Sequence, residues 1–141
     1  MDANYLTVGP VSQKIISHLI EKMVEKTDSG GHTFFLGQVR ADEIRGKKVK
    51  AIEYTAYEEM VNVEAEKIKM AILSEFIDVK TIDIIHSTGV VSAGEISLLV
   101  FVSAGHRQQA IQACSKTVEL IKEKLPVWKR EIFEDDTHKW K

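Results

Sequence analysis

The 141-residue sequence is poor in cysteine, with Cys114 as its only one. A single cysteine excludes a disulfide within the chain and indicates a reducing compartment such as the cytoplasm. Structural zinc sites take closely spaced cysteine and histidine ligands, and the five histidines show no such spacing. We therefore expect no metal in this protein.

Long apolar runs and an excess of positive charge are also absent. No apolar run approaches the roughly 20 residues that a membrane helix needs, and the first residues lack the basic start and apolar stretch of a secretory signal. The 19 Lys and Arg against 21 Asp and Glu give a net charge of −2, which disfavours a general nucleic-acid role. We expect one domain over residues 1–141 that binds neither membranes nor nucleic acid.

Strand-like and helix-like segments alternate along the chain. The apolar run Ile96–Val102 predicts a central strand covered on both faces, and Pro10 is expected to open the first helix. Polar residues at Ala41–Lys48 predict a mobile loop, while Gly89 and Gly94 are expected to bracket a turn or short hairpin. The remaining strands are expected at Tyr5–Val8, His32–Val39, Val49–Tyr57, Val79–His86 and Val127–Phe133, and the longer helices at Glu58–Phe76 and Arg107–Leu125. This order predicts a two-layer α/β sandwich.

Basic residues follow two of the predicted strands. Arg40 comes after one strand, and His106 and Arg107 come after the central strand, at the start of a helix. Free N–H groups and the helix dipole attract phosphate to a helix start. Because strand ends converge at a sheet edge, we expect Arg40, His106 and Arg107 to form one phosphate site. The alternative is that Arg107 only solvates the helix start.

The last predicted helix carries a lysine beside its apolar stripe. Cys114, Val118, Ile121 and Leu125 form that stripe, and Lys122 lies on its margin. Lys122 could therefore work in a pocket or be an ordinary surface lysine. Cys114 could be a sulfur-carrying nucleophile, but a mid-helix position on the apolar face favours a structural role.

A second cationic segment follows this helix, where Trp128 precedes Lys129 and Arg130. Neighbouring residues of a regular strand face opposite sides, so Lys129 and Arg130 would not enter the same pocket. The alternative interpretation of this segment is an edge strand with protective charges.

Five motifs in order make the chain, from about Gly30 to Trp140, similar to the catalytic (large) subunit family of molybdopterin synthase. They are Phe35–Arg40 (FLGQVR), Ile52–Tyr57 (IEYTAY), Ile85-His86 leading to Gly89, Val102–Arg107 (VSAGHR) and Pro126–Glu131 (PVWKRE). The resemblance implies an α+β fold, a two-layer α/β-hammerhead with a small additional antiparallel β-subdomain.

The resemblance also implies a reaction and partners. A small ubiquitin-like sulfur-carrier subunit would deliver a C-terminal thiocarboxylate to cyclic pyranopterin monophosphate and so form the dithiolene of molybdopterin. The catalytic chains would form a homodimer, and two carriers would complete a heterotetramer, with no metal or organic cofactor in this step. Matched by motif, Lys122 and Lys129 are the expected catalytic residues. The expected substrate-binding residues are Gln38, Val39, Arg40, His106, Arg107, Arg130 and Glu131.

Two other functions fit the residues without the resemblance. One is a persulfide sulfurtransferase that uses Cys114, which would require an accessible thiol. The other is a non-catalytic dimeric module that binds phosphorylated ligands or a ubiquitin-like tail.

Overall fold

A computed structural model describes residues 4–140, which contain eight strands and three helices. The strands are β1 (Leu6–Val8), β2 (Gly31–Gln38), β3 (Glu43–Ile44), β4 (Lys47–Ala56), β5 (Val79–Ser92), β6 (Ile96–Ala104), β7 (Val127–Phe133) and β8 (His138–Trp140). The helices are α1 (Gln13–Met23), α2 (Glu58–Glu75) and α3 (Arg107–Lys124). None of these helices is long and apolar enough to cross a membrane.

The strands form one sheet in the order β2-β6-β5-β4-β7-β8. Each neighbouring pair in this order is antiparallel, whereas β1 pairs with β5 in parallel and β3 forms a hairpin with β4. Strand β6 is buried along nearly its whole length, which confirms the central strand predicted from its continuous apolar run. The expected mixed α+β class is confirmed.

Helices cover both faces of this sheet. One core joins α2 and α3 to side chains of β5 and β6 such as Ile84 and Val100. A second core lies on the opposite face, where α1 packs on Leu99 and Phe101. A third core forms beneath the β4 and β7 strands, around Tyr54. Side chains alternate along β6, so successive residues serve the first two cores in turn.

Two of the local predictions were wrong. The segment Ala41–Lys48 is not a loop, because β3 and β4 form a hairpin whose two turn residues, Arg45 and Gly46, have φ angles of 52° and 77°. Left-handed backbone at both central positions is the geometry that suits a two-residue hairpin turn. Gly94 lies in the turn that joins β5 to β6, as expected, but Gly89 does not border that turn, because it lies inside β5 with a φ of 77°, where the strand passes from β6 to β4.

The start of α1 also differs from the prediction. The helix begins at Gln13 and not at Pro10, since the side chain of Ser12 accepts a hydrogen bond from the amide of Lys14. This is the usual arrangement of an N-cap serine, which satisfies one of the free amides at a helix start.

Candidate active site

A cavity of about 340 Å³ opens where β2 ends, between α3 and the strands β4 and β7. Its volume is in the range of small-molecule sites in proteins. Six of the nine expected site residues line it, from three separate parts of the chain. The lining residues are Phe35, Leu36, Gly37, Gln38, Val39, Arg40, Asp42, Ile52, Tyr54, His86, Ser97, Leu98, Lys122, Lys129 and Glu131.

Regular secondary structure positions the cationic groups of this cavity. Lys122 lies on the last turn of α3, beside the buried Ile121 that anchors the helix to the sheet. Lys129 and Glu131 are two residues apart on β7, so strand alternation brings both to the face that lines the cavity. Arg40 follows β2 and is held toward Asp42 by a 3.3 Å ion pair.

The floor of the cavity is polar but carries no charge at neutral pH. Tyr54, His86 and Ser97 are each less than a tenth exposed. The Tyr54 hydroxyl donates to Ser97 Oγ at 3.0 Å, and the Ser97 hydroxyl points to the Gly37 carbonyl at 3.5 Å. Burial, with a further contribution from the nearby cations Lys122 and Lys129, lowers the pKa of His86 to about 4. This histidine is therefore neutral at pH 7.

The cavity can bind an anion because its walls carry an excess of positive charge. Arg40, Lys122 and Lys129 are opposed by Asp42 and Glu131, so three cations face two acids. Glu131 is only 4% exposed, whereas Arg40 and Lys122 are exposed, so these two cations are the groups that an approaching anion meets first. The arrangement provides an anion-binding mouth above a neutral floor.

His106 and Arg107 lie elsewhere in the same chain. They line a second hollow at the start of α3, together with Gly30 and Gly105. In the β2–β6 register, Gly31 pairs with Ala104 and Gln38 pairs with Ile96, so the hollow and Arg40 lie at opposite ends of β2. That separation is roughly 23 Å at the usual rise per residue. The single phosphate site expected from Arg40, His106 and Arg107 is therefore not formed within one chain.

The Asp78 carboxylate holds His106 in place beside this second hollow. Its carboxylate accepts hydrogen bonds from the His106 amide at 2.8 Å and from His106 Nδ1 at 3.1 Å. Partial burial raises the pKa of Asp78, but the bonds from His106 outweigh this effect and leave the pKa below its ordinary value. An ionised carboxylate thus orients the His106 ring at the helix start.

Arg130 does not line the cavity. Its guanidinium pairs with Glu53 on the neighbouring strand β4, and it lies 5.4 Å from the centre of the Trp140 ring. The expectation that Arg130 joins Lys129 in the substrate pocket is therefore not met. The alternation of β7, which turns neighbouring side chains to opposite sides, is the physical reason.

Cys114 is a structural residue in this fold. It is 3% exposed, within the core beneath α3, and its sulfur lies 4.0 Å from the Val100 carbonyl. Burial raises the pKa of the thiol to about 11. Because a reactive cysteine needs exposure and a depressed pKa, this environment argues against the persulfide alternative.

Four polar residues that line the cavity were not among the predicted site residues: Asp42, Tyr54, His86 and Ser97. Asp42 lay in a segment assigned as a loop. The other three meet only through the pairing of β4, β5 and β6, and nothing in their sequence spacing indicates that meeting. The Tyr54–His86 ring contact, with centroids 5.1 Å apart, is a product of this long-range pairing.

Comparison with known proteins agrees with the motifs. Residues 11–124 match the family described as MoaE protein. The chain belongs to the MoaE family. It is 40% identical over 122 residues to the molybdopterin synthase catalytic subunit of Dictyostelium discoideum, which covers 85% of this chain and 77% of the relative. It is 42% identical over 113 residues to the catalytic subunit of Pyrococcus abyssi (strain GE5 / Orsay), which covers 80% of this chain and 75% of the relative.

Solved structures share the fold of this MoaE chain. Molybdopterin synthase from Staphylococcus aureus superimposes with a TM-score of 0.84 at 29% identity, covering 100% of this chain and 98% of the other. The complex of subunits 1 and 2 of molybdopterin-converting factor from Helicobacter pylori 26695 gives a TM-score of 0.80 at 18% identity, covering 96% of this chain and 87% of the other. Membership of the family gives this MoaE chain an enzymatic role in molybdenum cofactor biosynthesis.

Proposed function

We propose that the chain transfers sulfur from the C-terminal thiocarboxylate of a small ubiquitin-like carrier to cyclic pyranopterin monophosphate, and so forms the dithiolene of molybdopterin. The observation that carries this proposal is the cavity that collects Arg40, Lys122 and Lys129 around a neutral floor. Substrate and sulfur donor are both anionic and repel each other. Fixed cations in an enclosed site offset that repulsion.

The residues of the cavity suit different tasks. Arg40 presents a planar guanidinium for bidentate contact with the substrate phosphate. Lys122, which lines the cavity from the last turn of α3, exchanges the protons that accompany sulfur attack and loss of oxygen. Lys129 orients the substrate or the carrier's carboxyl group. Gln38, Val39 and Glu131 complete the walls beside these groups.

The sulfur must arrive on a second protein. No cysteine lines the cavity, and Cys114 is enclosed in the core. The structure from Helicobacter pylori is a complex of subunits 1 and 2 of molybdopterin-converting factor, and we extend such an assembly to this chain. The resemblance implies that the carrier's C-terminal tail ends in Gly-Gly. Such a tail can reach into the cavity, because glycine lacks side-chain bulk and lets backbones approach closely.

A second copy of the chain can complete the anion site. Strand β2 lies at the edge of the sheet, with Phe35 and Leu36 more than a third exposed. If two β2 strands pair in antiparallel fashion across a two-fold axis, the start of one strand meets the end of the other. His106 and Arg107 of the partner subunit would then lie beside Arg40, which resolves their separation within one chain.

The decisive experiment is turnover with the purified chain, a thiocarboxylated carrier and the cyclic pterin precursor. We expect dithiolene product with the intact carrier and none when its last two glycines are removed, even where the globular part of the carrier still docks. Full activity with a tail-less carrier, or with free sulfide at ordinary concentrations, would contradict the proposal. Binding of pterin and carrier without any turnover would instead favour the non-catalytic module.

A further inference from the structure

His86 is a titratable group of the cavity floor to which the proposed reaction gives no task. It is 7% exposed, on β5, at the base of the cavity. Its Nδ1 lies 2.8 Å from the carbonyl oxygen of Ser87. A carbonyl oxygen only accepts, so Nδ1 carries the hydrogen and the ring nitrogen Nε2 of the neutral imidazole presents a lone pair.

The surrounding groups fix this ring and leave Nε2 available. Tyr54 packs against the ring edge-on, with an interplanar angle of 75°. The Tyr54 hydroxyl donates to Ser97 and the Ser97 hydroxyl points to the Gly37 carbonyl, so neither hydrogen is directed to His86. The hydrogen bond between His86 and Ser87 engages Nδ1, and His86 lines the cavity, so Nε2 is the ring nitrogen that remains to meet a ligand. It therefore retains access to the cavity.

The polarity of the cavity changes with depth. Arg40 is 78% exposed at the mouth, whereas Tyr54, His86 and Ser97 are buried neutral groups and Glu131 adds a buried acid. A lone-pair nitrogen repels phosphate and thiocarboxylate oxygens, which the cations at the mouth attract. It binds a hydrogen-bond donor instead, and a pterin ring carries several N–H groups on its edge.

We propose that His86 is a substrate-binding residue, whose Nε2 accepts a hydrogen bond from an N–H group of the pterin ring while the cations nearer the mouth hold the anionic groups. The inference rests on the proposed function for the identity of the ring. It assigns the orientation of the substrate in the cavity: the heterocycle enters first and the phosphate stays outermost. The reacting carbons, which lie between these two ends, then face Lys122 and Lys129.

Two substitutions separate this role from a structural one. His86→Asn keeps an N–H that can reach the Ser87 carbonyl but removes the acceptor from the cavity, whereas His86→Gln places an amide oxygen near the position of Nε2. We expect His86→Asn to raise KM about 10-fold with little change in kcat, since a contact made equally in ground and transition states affects binding alone. We expect His86→Gln to retain most of the affinity. A purely structural histidine predicts the reverse order.

The control and the direct measurement are independent of these variants. His18→Gln, at an exposed position of α1, should leave both constants unchanged. In unaltered protein labelled with ¹⁵N-histidine, adding the cyclic pterin without carrier should shift the Nε2 resonance of His86, which tests the idea even if a variant fails to fold. If the Nε2 resonance does not shift on addition of pterin, but does shift in ligand-free Lys122→Ala protein, then Nε2 interacts with Lys122 and the proposal is wrong. If the unaltered complex shows no turnover, the proposed function fails separately.

Discussion

Lys122 and Lys124 lie two residues apart on α3, yet only Lys122 lines the cavity. Lys124 borders a shallow surface groove near Pro126. The pair therefore offers a test of proton transfer within one helix turn. Lys122→Ala should fold normally and lose about 10²–10⁴ in rate, as is typical when an acid–base group is removed. Turnover with the carrier measures this, and Lys124→Ala is the matched control. Near-normal turnover by folded Lys122→Ala would exclude a chemical role.

His86 provides a pH prediction, because burial lowers its pKa from 6.5 to about 4 in the folded chain. Between these values the unfolded chain binds a proton that the folded chain does not. The part of the folding free energy that is linked to neutral His86 is therefore fully present above about pH 6.5 and is lost as the pH falls toward about 4. At pH 5 the loss should be about 2 kcal/mol.

Urea unfolding at pH 7 and pH 5 measures this loss. In His86→Gln the pH-dependent part should disappear, whereas the surface variant His18→Gln should keep it. The low pKa of Asp135, about 2, acts only below this window. The raised pKa of Asp83 is common to both proteins and cancels in their difference. An equal decline in unaltered protein and His86→Gln would show that His86 is not the buried neutral group.

At the residue scale, the sequence predicted the cationic residues of the site but not the buried polar residues of its floor. Lys122, Lys129 and Arg40 stand out by charge beside apolar segments. His86, Tyr54 and Ser97 lie inside strands that read as core, and only the pairing of those strands brings them to one floor. Local spacing along the sequence does not determine which residues of distant strands lie side by side. The proximity of these three side chains could therefore not be predicted.

At the scale of elements, two glycines, Gly30 and Gly31, allow β2 to approach the start of α3. A Cβ on Gly30 would lie 2.3 Å from the Gly105 carbonyl oxygen, and one on Gly31 would lie 3.0 Å from Arg107 Cα. Because the obstacle is backbone, Gly30→Ala should destabilise the fold by about 1–3 kcal/mol. Gly9→Ala, which meets nothing within 4 Å and adds only strain at a φ of 78°, should cost less. Urea denaturation compares the two, and equal costs would mean that the close approach is not required.

The first and last residues of a helix or strand were predictable where neighbouring residues in the sequence determine them. Strand β7 occupies the predicted span Val127–Phe133, because Pro126 ends the preceding helix and β-branched and aromatic residues follow. Gly89 misled the prediction, since glycine with positive φ marks both turns and irregular points inside strands. A glycine in a turn and a glycine inside a strand differ only in whether a partner strand is hydrogen-bonded beside the glycine. For β5 that partner is β4, which precedes it by a whole helix.

At the scale of the whole molecule, the cationic residues expected to bind the anionic substrate lie at the two ends of β2. Arg40 and the lysines lie at one end, while His106 and Arg107 lie at the other. Antiparallel pairing of β2 strands from two chains would place the Arg40 end of one strand beside the Arg107 end of the other. The two-fold axis produces this arrangement once on each side. A charged residue on this edge should prevent it. Leu36→Lys is expected to shift the chain from dimer to monomer in light scattering and to abolish turnover.

Complementation between two inactive variants tests the shared site directly. Lys122→Ala disables the chain that provides the cavity, and Arg107→Ala disables the chain that completes it. In a mixed dimer, one site carries both defects and the other carries none. Random exchange of subunits makes half of the dimers mixed, so an equal mixture should recover about a quarter of the unaltered activity. Mixing after cross-linking each variant with itself provides the control and should recover nothing. If freely exchanging variants also recover nothing, Arg107 acts within its own chain or not at all, and the β2 edge does not unite the two halves of the site.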